Sequence, residues 1–154
     1  MVSEEAREAA LKSMKTLNRY ARDVLKRHTV HACTDVTGFG LGGHGTEMAD
    51  GSKKTLVIDA KALPILPDVE EYALWLIPGG AYRNREFAAK SGYISTAELW
   101  REDLVFDPQT SGGLLAAVPA DEAEEILLEL SESALSCAMI GEVTDRENHA
   151  LEIR

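Results

Sequence analysis

The sequence predicts one α+β domain in which helices cover a mixed sheet. Helical and strand-like segments follow one another in mixed order, and the chain ends on two strand-like segments, CAMIGEVT and ALEIR. Its 154 residues suit a single domain that buries roughly 70% of the unfolded surface. Hydrophobic residues make up 45% and charged residues 27% of the chain, which is typical of globular proteins. We therefore expect residues 1–154 to form one domain.

The first half of the chain alternates between helix and strand patterns. Residues 4–27 predict one long helix, because its apolar residues share a stripe and Ser3 can cap its start. A strand is predicted at 30–34. A helix at about 41–50 follows it, with Gly51 as the expected C-cap residue.

The second half contains shorter elements. Proline in the first turn favours a short helix in PDVEEYALWL, and the PGG at 78–80 must end that helix. We further expect a strand in TLVID, helices at 81–90 and 96–103, an extended segment at 93–95, a buried strand in GLLAAVP, and an amphipathic helix from near Asp121. Thr96 is the expected cap of the helix at 96–103.

Charge and cysteine content exclude several classes of partner. Sixteen basic and 26 acidic side chains give a net charge of −10, which repels nucleic acid. The apolar runs are too short to cross a bilayer, so we expect no membrane partner. Cys33 and Cys137 are too few for a disulfide framework, which indicates a cytoplasmic protein, and both are predicted to be buried core residues.

The run TDVTGFGLGGHG, at 34–45, is the most informative stretch. It places Asp35 at the end of a predicted strand, before a glycine-rich bend and the start of a helix. Free N–H groups at a helix start favour anions, and a carboxylate beside them can hold Mg²⁺ against a phosphate. The alternative is that Asp35 caps the turn and the glycines only shape a bend.

DPQTSGG, at 107–113, is a second glycine-containing turn, placed before a buried strand. The backbone amides of Ser111, Gly112 and Gly113 could form a concavity that binds an anion. Ordinary turn geometry explains the same residues. The segment is therefore expected either to face phosphates or to pack against another domain.

PGGAYRN, at 78–84, places Arg83 and Asn84 near a helix start that two glycines leave open. A guanidinium suits bidentate recognition of phosphate or carboxylate. Most arginines in such positions pair with a surface acid, so this alternative stays open.

His31, Cys33 and Asp35 share one side of the predicted strand. Histidine, cysteine and aspartate are all zinc ligands, so these three residues could belong to a zinc site. We do not predict one, because same-face residues on a strand more often pack in a core. His44 is expected to stabilise its helix or the packing around it.

Three stretches together resemble the C-terminal half of selenophosphate synthetase, also called selenide, water dikinase. They are HACTDVTGFG at 31–40, PGGAYRN at 78–84 and FDPQTSGGLL at 106–115. Their order and spacing match those of the family, and IGEVT at 140–144 resembles the family's closing strand. The resemblance covers residues 4–154.

The resemblance implies the C-terminal domain of an enzyme that makes selenophosphate from selenide and ATP, with release of AMP and phosphate. The implied fold is that of the C-terminal domain in the aminoimidazole ribonucleotide synthetase superfamily. The full-length enzyme is expected to use Mg²⁺ and ATP and to form a homodimer. Its N-terminal domain carries the reactive cysteine or selenocysteine, a lysine and the aspartates that hold Mg-ATP, none of which this sequence contains.

The resemblance also implies a role for each candidate residue. Asp35 is expected to bind the metal, and no catalytic residue is expected in this fragment, which alone should be inactive and hold no cofactor tightly. The residues expected to face phosphates or the missing domain are Thr34, Gly38, Gly40, Arg83, Asn84, Thr110, Ser111, Gly112 and Gly113.

Two other interpretations stay open. Another ATP-using member of the superfamily, such as the purine aminoimidazole synthetase or the hydrogenase maturation protein, would share the fold, although PGGAYRN and FDPQTSGG favour the selenium branch. The chain could instead be a freestanding, non-catalytic binding or dimerisation module. Residues 1–3 lead at once into helix-forming sequence with no apolar signal segment, so we expect a domain boundary close to Ser3.

Overall fold

The computed structural model describes residues 2–134 and 136–154. The helices are α1 Glu4–Lys15, α2 Arg19–Leu25, α3 Gly40–Ser52, α4 Val69–Ala73, α5 Gly79–Lys90, α6 Leu99–Val105 and α7 Ala123–Ser133. The strands are β1 Ala32–Asp35, β2 Lys54–Ile58, β3 Tyr93–Ser95, β4 Leu114–Ala117, β5 Gly141–Asp145 and β6 Leu151–Ile153. No helix within the described residues has the length and apolar character that spanning a membrane requires.

The strands form two sheets. Four of them make a mixed sheet in the order β3-β6-β2-β5, in which β6 runs parallel to both of its neighbours and β5 runs antiparallel to β2. The other two strands, β1 and β4, form an antiparallel pair. The predicted α+β class with a mixed sheet is confirmed. The two strands that end the chain do not pair with each other, because β2 lies between them.

The core lies where α3 packs against the larger sheet, with α5 and α6 packed against α3. Ile58, Leu151 and Ile153 from that sheet are fully buried, as are Val105 and Phe106 at the end of α6. Burying a large apolar side chain contributes about 1.5–3 kcal/mol, so these five residues supply a substantial part of the hydrophobic stabilisation.

The predicted helix at 4–27 is wrong as a single element, because it divides into α1 and α2. Ser3 does cap α1, since its hydroxyl accepts a hydrogen bond from the N–H of Ala6 at 3.1 Å. Thr16 is extended, and its hydroxyl donates to the carbonyl of Lys12. The Asn18 amide donates to the distant carbonyl of Gly112 at 2.9 Å. Side-chain hydrogen bonds of this kind compete with helix continuation.

Two predicted caps are also wrong. Gly51 lies inside α3, and Lys53 takes the left-handed conformation that ends the helix, with φ of +53°. Thr96 does not cap α6, which begins after Glu98. The N–H of Thr96 donates to the carbonyl of Ile153 at 2.8 Å and so extends the sheet pairing beyond β3. The difference at Thr96 follows from pairing with a distant strand, which a local sequence pattern does not contain.

The prediction that both cysteines are buried core residues is wrong. Cys33 is exposed and Cys137 is only half-buried. Along β1, exposed and half-buried residues alternate, and His31, Cys33 and Asp35 are all exposed. The strand therefore has the predicted period of two, but the face that carries these three residues is turned toward solvent.

Candidate functional site

The pairing of β1 with β4 brings the first and second glycine bends together. In this antiparallel pair Asp35 lies opposite Leu114, so the chain after β1 meets the chain before β4. The N–H of Val36 donates to the carbonyl of Gly113 at 2.9 Å. The N–H of Gln109 donates to the carbonyl of Thr37 at 3.0 Å. TDVTGFG and DPQTSGG thus form one continuous surface at one end of the small sheet.

The last three residues of the second bend differ from one another in their steric and backbone constraints. A Cβ on Gly112 would lie 2.3 Å from the carbonyl oxygen of Val36, whereas a Cβ on Gly113 would meet no heavy atom within 4 Å. The left-handed backbone of this bend occurs at Ser111, with φ of +57°. Close backbone approach therefore requires glycine at position 112 only, and the strained conformation falls on a serine.

The third motif joins this surface through Asn84 of α5. Asn84 is buried, and its amide donates to the carbonyl of Gly38 at 2.9 Å and to that of Phe106 at 3.0 Å. The rings of Phe39 and Phe87 stack with centroids 5.3 Å apart, which packs α5 against the first bend. One buried amide therefore ties α5 to the first bend and to the residue just before the second.

Replacing Asn84 with alanine should destabilise the fold by about 2 kcal/mol, because the buried carbonyl of Phe106 and the partly buried carbonyl of Gly38 would lose their donor. Arg83→Ala is the matched control: Arg83 is the neighbouring residue on the same helix, it is exposed, and its substitution should change stability by no more than about 0.5 kcal/mol. Urea unfolding followed by circular dichroism measures both changes. Equal effects from the two substitutions would contradict the assigned role of Asn84.

The two arginines of α5 have different surroundings. Arg83 is exposed, and no ion pair to it is found within the described residues. Arg85 is largely buried: its guanidinium forms ion pairs with Glu102, at 3.1 Å, and with Asp103, and lies 5.6 Å from the centroid of the Phe106 ring. Sequence reasoning did not single out Arg85. Its ion pairs connect α5 to α6 behind the bends, which leaves Arg83 as the arginine available to a ligand or another domain.

Asp35 is the last residue of β1, as predicted, and it is exposed. No hydrogen bond or ion pair to its carboxylate is found in the described part of the chain. The residue before α3 is Phe39, and no side chain caps this helix. The structure therefore does not show Asp35 as a cap of α3.

Cys33 shares the exposed face of β1 with Asp35. Neighbouring atoms partly shield the thiol of Cys33 from water, and this desolvation, followed by the charge of Asp35, raises the pKa of the thiol. A raised pKa favours the protonated thiol, which is a poor metal ligand. Across residues 2–134 and 136–154, no group of three or more His, Cys, Asp or Glu side chains could hold a metal ion.

The first bend is held in shape by His44 of α3. The Nδ1 atom of His44 lies 3.2 Å from Glu47, and its Nε2 atom lies 3.0 Å from the hydroxyl of Thr37. If Nδ1 carries the proton toward Glu47, then Nε2 accepts from Thr37. The predicted packing role of His44 agrees with these contacts. Thr37 and Glu47 were not predicted, although the spacing of three between His44 and Glu47 is a local signal.

Backbone geometry also separates the two predicted glycines of the first bend. Gly40 has φ of +68°, and a Cβ there would lie 2.8 Å from the carbonyl oxygen of Asp107. Gly38 is exposed, with open space around it. Desolvation of the half-buried Asp107 side chain raises the pKa of its carboxyl. Gly40 is thus required by the backbone, whereas Gly38 leaves the surface beside Asn84 open.

The remaining predicted site residues belong to the same two bends. Thr34 is half-buried, and its hydroxyl donates to the carbonyl of Asp35 at 3.2 Å. Thr110 and Ser111 are exposed. In the described chain, the N–H groups of Ser111 and Gly112 donate to no backbone acceptor. The structure therefore brings the predicted residues of all three motifs together, with Arg83 on the outer face of α5.

Comparison with known proteins identifies the family. Residues 2–154 match the model of the family described as AIR synthase related protein, C-terminal domain. The chain belongs to this family. The solved structure of the hydrogenase maturation protein HypE is similar in fold, with a TM-score of 0.54 and 20% identity, and the match covers 84% of this chain and 34% of that one.

Curated relatives make the likeness more specific. The chain is 43% identical over 148 residues to the selenide, water dikinase of Desulfitobacterium hafniense strain Y51, a match that covers 96% of this chain and 43% of the relative. It is 41% identical over 144 residues to the selenide, water dikinase of Clostridium botulinum strain Alaska E43, covering 92% of this chain and 41% of the relative. The predicted resemblance to selenophosphate synthetase is confirmed. The chain spans about two fifths of the length of these relatives.

Proposed function

We propose that this chain is the C-terminal domain of an enzyme that makes selenophosphate from selenide and ATP, releasing AMP and phosphate. The observation that carries the proposal is the alignment of nearly the whole chain with proteins named selenide, water dikinase. We assign the remaining length of those relatives to a preceding domain. In this proposal that domain binds ATP and supplies the reactive cysteine or selenocysteine, and the complete enzyme is a cytoplasmic homodimer.

Asp35 is the metal ligand that this chain contributes. Mg²⁺ takes six oxygen ligands and is usually held by one or two carboxylates together with phosphate oxygens and water. The exposed carboxylate of Asp35 fits this coordination, and the other ligands would come from ATP, water and the preceding domain. Bound Mg²⁺ would neutralise phosphate charge during the transfer.

The second bend is proposed to contact phosphate oxygens through its backbone. Ser111 has a left-handed backbone. A left-handed residue beside a right-handed one turns successive N–H groups toward one side, and this geometry forms anion-binding concavities. Thr110 adds an exposed hydroxyl to the same bend. Arg83 and the open backbone at Gly38 extend this phosphate-binding or interdomain surface, while Asn84, Gly40 and Gly112 hold it in shape.

The proposal is tested with the complete polypeptide, in which the N-terminal domain precedes Ser3. Incubation with ATP, Mg²⁺ and selenide should yield AMP and a selenophosphate signal in ³¹P NMR, and omission of selenide should abolish both. ATP turnover that does not depend on selenide would favour another ATP-using member of the superfamily. Absence of nucleotide turnover under all conditions would favour a non-catalytic module.

A further inference from the structure

An apolar surface lies at the end of α4. Leu74, Trp75 and Leu76 expose 62%, 81% and 68% of their surface, and Leu99 at the start of α6 exposes 67%. Helix α4 packs against α6, so these residues belong to neighbouring elements. We call these four residues the α4 patch. Leu74, Trp75 and Leu76 are consecutive, and a run of exposed apolar residues of this kind marks an interaction site, whereas single exposed apolar residues are common.

The α4 patch has a fixed shape. Ala73 before it is buried, and Ile77 after it packs against the core. The N–H groups of Trp75 and Leu76 both donate to the carbonyl of Tyr72, at 3.0 and 2.8 Å. The three exposed side chains are therefore presented by a segment that is anchored at both ends.

We propose that the α4 patch is the surface on which the preceding N-terminal domain of the same polypeptide docks, an inference that rests on the proposed function. The N–H of Ser3 donates to the hydroxyl of Tyr72 at 3.2 Å, and the hydroxyl of Ser3 bonds the carboxylate of Asp68. The polypeptide segment that precedes Ser3 therefore lies beside α4 where it joins this domain. The matching family is a C-terminal domain, so the additional length of the relatives lies on this side.

The size of the patch favours a tethered partner over a second copy of the chain. Its four side chains expose on the order of 500 Å², if each offers roughly 150–250 Å² when fully exposed. Stable dimers bury about 800 Å² on each partner, whereas interfaces between domains of one chain begin near 600 Å² in total. A covalently linked domain is present at an effective concentration of about millimolar, so a small interface suffices.

Acidic residues border the α4 patch and define the chemistry of the surface that covers it. Asp68, Glu70 and Glu71 are exposed on and beside the first turn of α4. The docking face of the N-terminal domain should therefore combine an apolar centre with a basic margin, since opposite charges at the rim set orientation.

Hydroxyl-radical footprinting of the complete polypeptide tests the docking surface with an internal reference. Trp100 is half-buried in this domain and stacks with Arg101 at 4.2 Å, whereas Trp75 is 81% exposed. If the N-terminal domain covers the α4 patch, Trp75 should be oxidised more slowly than Trp100 at every protein concentration. Trp75 oxidised several-fold faster than Trp100 would overturn the proposal. Protection that appears only as protein concentration rises would also overturn it, because a second copy would then be the occupant.

Substitution provides an independent measurement. Trp75→Ser in the complete polypeptide should speed protease cleavage of the segment before Ser3 several-fold, because undocking exposes that segment. Leu128→Ser is the matched control, since Leu128 is 67% exposed on α7, outside the α4 patch, and should leave cleavage unchanged. Unchanged cleavage in both variants would count against docking.

Both measurements work without substrate. A protected Trp75 in a protein that lacks selenide-dependent activity would refute the proposed function and retain the docking surface. An active enzyme with a freely oxidised Trp75 would refute the docking surface and retain the proposed function.

Discussion

Asp35→Asn should remove most of the selenide-dependent AMP formation of the complete enzyme while leaving its thermal stability nearly unchanged. Asparagine keeps the shape of the side chain but loses the charge that a magnesium ligand needs. The expected loss is about a hundredfold or more, comparable to removing one preorganised charge-stabilising group from an active site. Stability should hold because Asp35 is exposed. Steady-state AMP formation at saturating selenide, measured across a Mg²⁺ titration, provides the comparison.

Asp121→Asn is the matched control for the loss of a negative charge. Asp121 is likewise exposed, but it precedes α7, outside the surface formed by the three motifs. Its substitution should leave turnover unchanged. Turnover equal to that of the wild type in Asp35→Asn at every Mg²⁺ concentration would remove Asp35 from the metal site.

Gly112→Ala should destabilise this domain by about 3 kcal/mol or more, the upper part of the range for overpacking. The added Cβ would lie 2.3 Å from the carbonyl oxygen of Val36, and the adjacent hydrogen bond from the Val36 N–H to the Gly113 carbonyl resists the shift that would relieve this contact. The free energy of unfolding, from urea denaturation, measures the change.

Gly113→Ala adds the same atom one residue later, where no heavy atom lies within 4 Å, and should cost no more than about 0.5 kcal/mol. Ser111→Ala should be similarly mild, because Ser111 is exposed and keeps its Cβ. A Gly112→Ala protein that cannot be purified, beside a well-folded Gly113→Ala protein, agrees with the expectation. Equal losses from both glycines would show that the close approach to Val36 is unimportant.

Local patterns predicted the elements that bear the candidate site. The alternation before Asp35 located β1, and Asp35 does end that strand. The extended segment Tyr93–Ser95 was also predicted, and it forms β3. These predictions succeeded because side-chain period, glycine and proline act on the nearest few residues. The two glycine bends lie next to each other, and their contact with phosphates stays a prediction.

Interactions between distant residues account for what the sequence did not predict. Asn18 interrupts the first helix by bonding Gly112, and Thr96 stays extended by bonding Ile153, so in each case the partner lies far along the chain. Cys33 faces solvent because β1 joins a two-stranded sheet instead of the larger one. The structural role of Asn84 was also missed, since nothing local shows that one amide meets carbonyls at Gly38 and Phe106.

The way the bends are joined has a thermodynamic consequence for whatever binds beside Asp35. Val36 and Gly113 are linked through main-chain atoms, and so are Thr37 and Gln109, while Asn84 is already immobilised by burial. Ordering a long, mobile side chain at an interface costs about 0.5–1.5 kcal/mol for each residue. Main-chain groups that folding has already fixed incur little of this cost. A phosphate-bearing ligand would therefore meet a preorganised surface. The conformational entropy of the groups on that surface is lost when the protein folds, and not when the ligand binds.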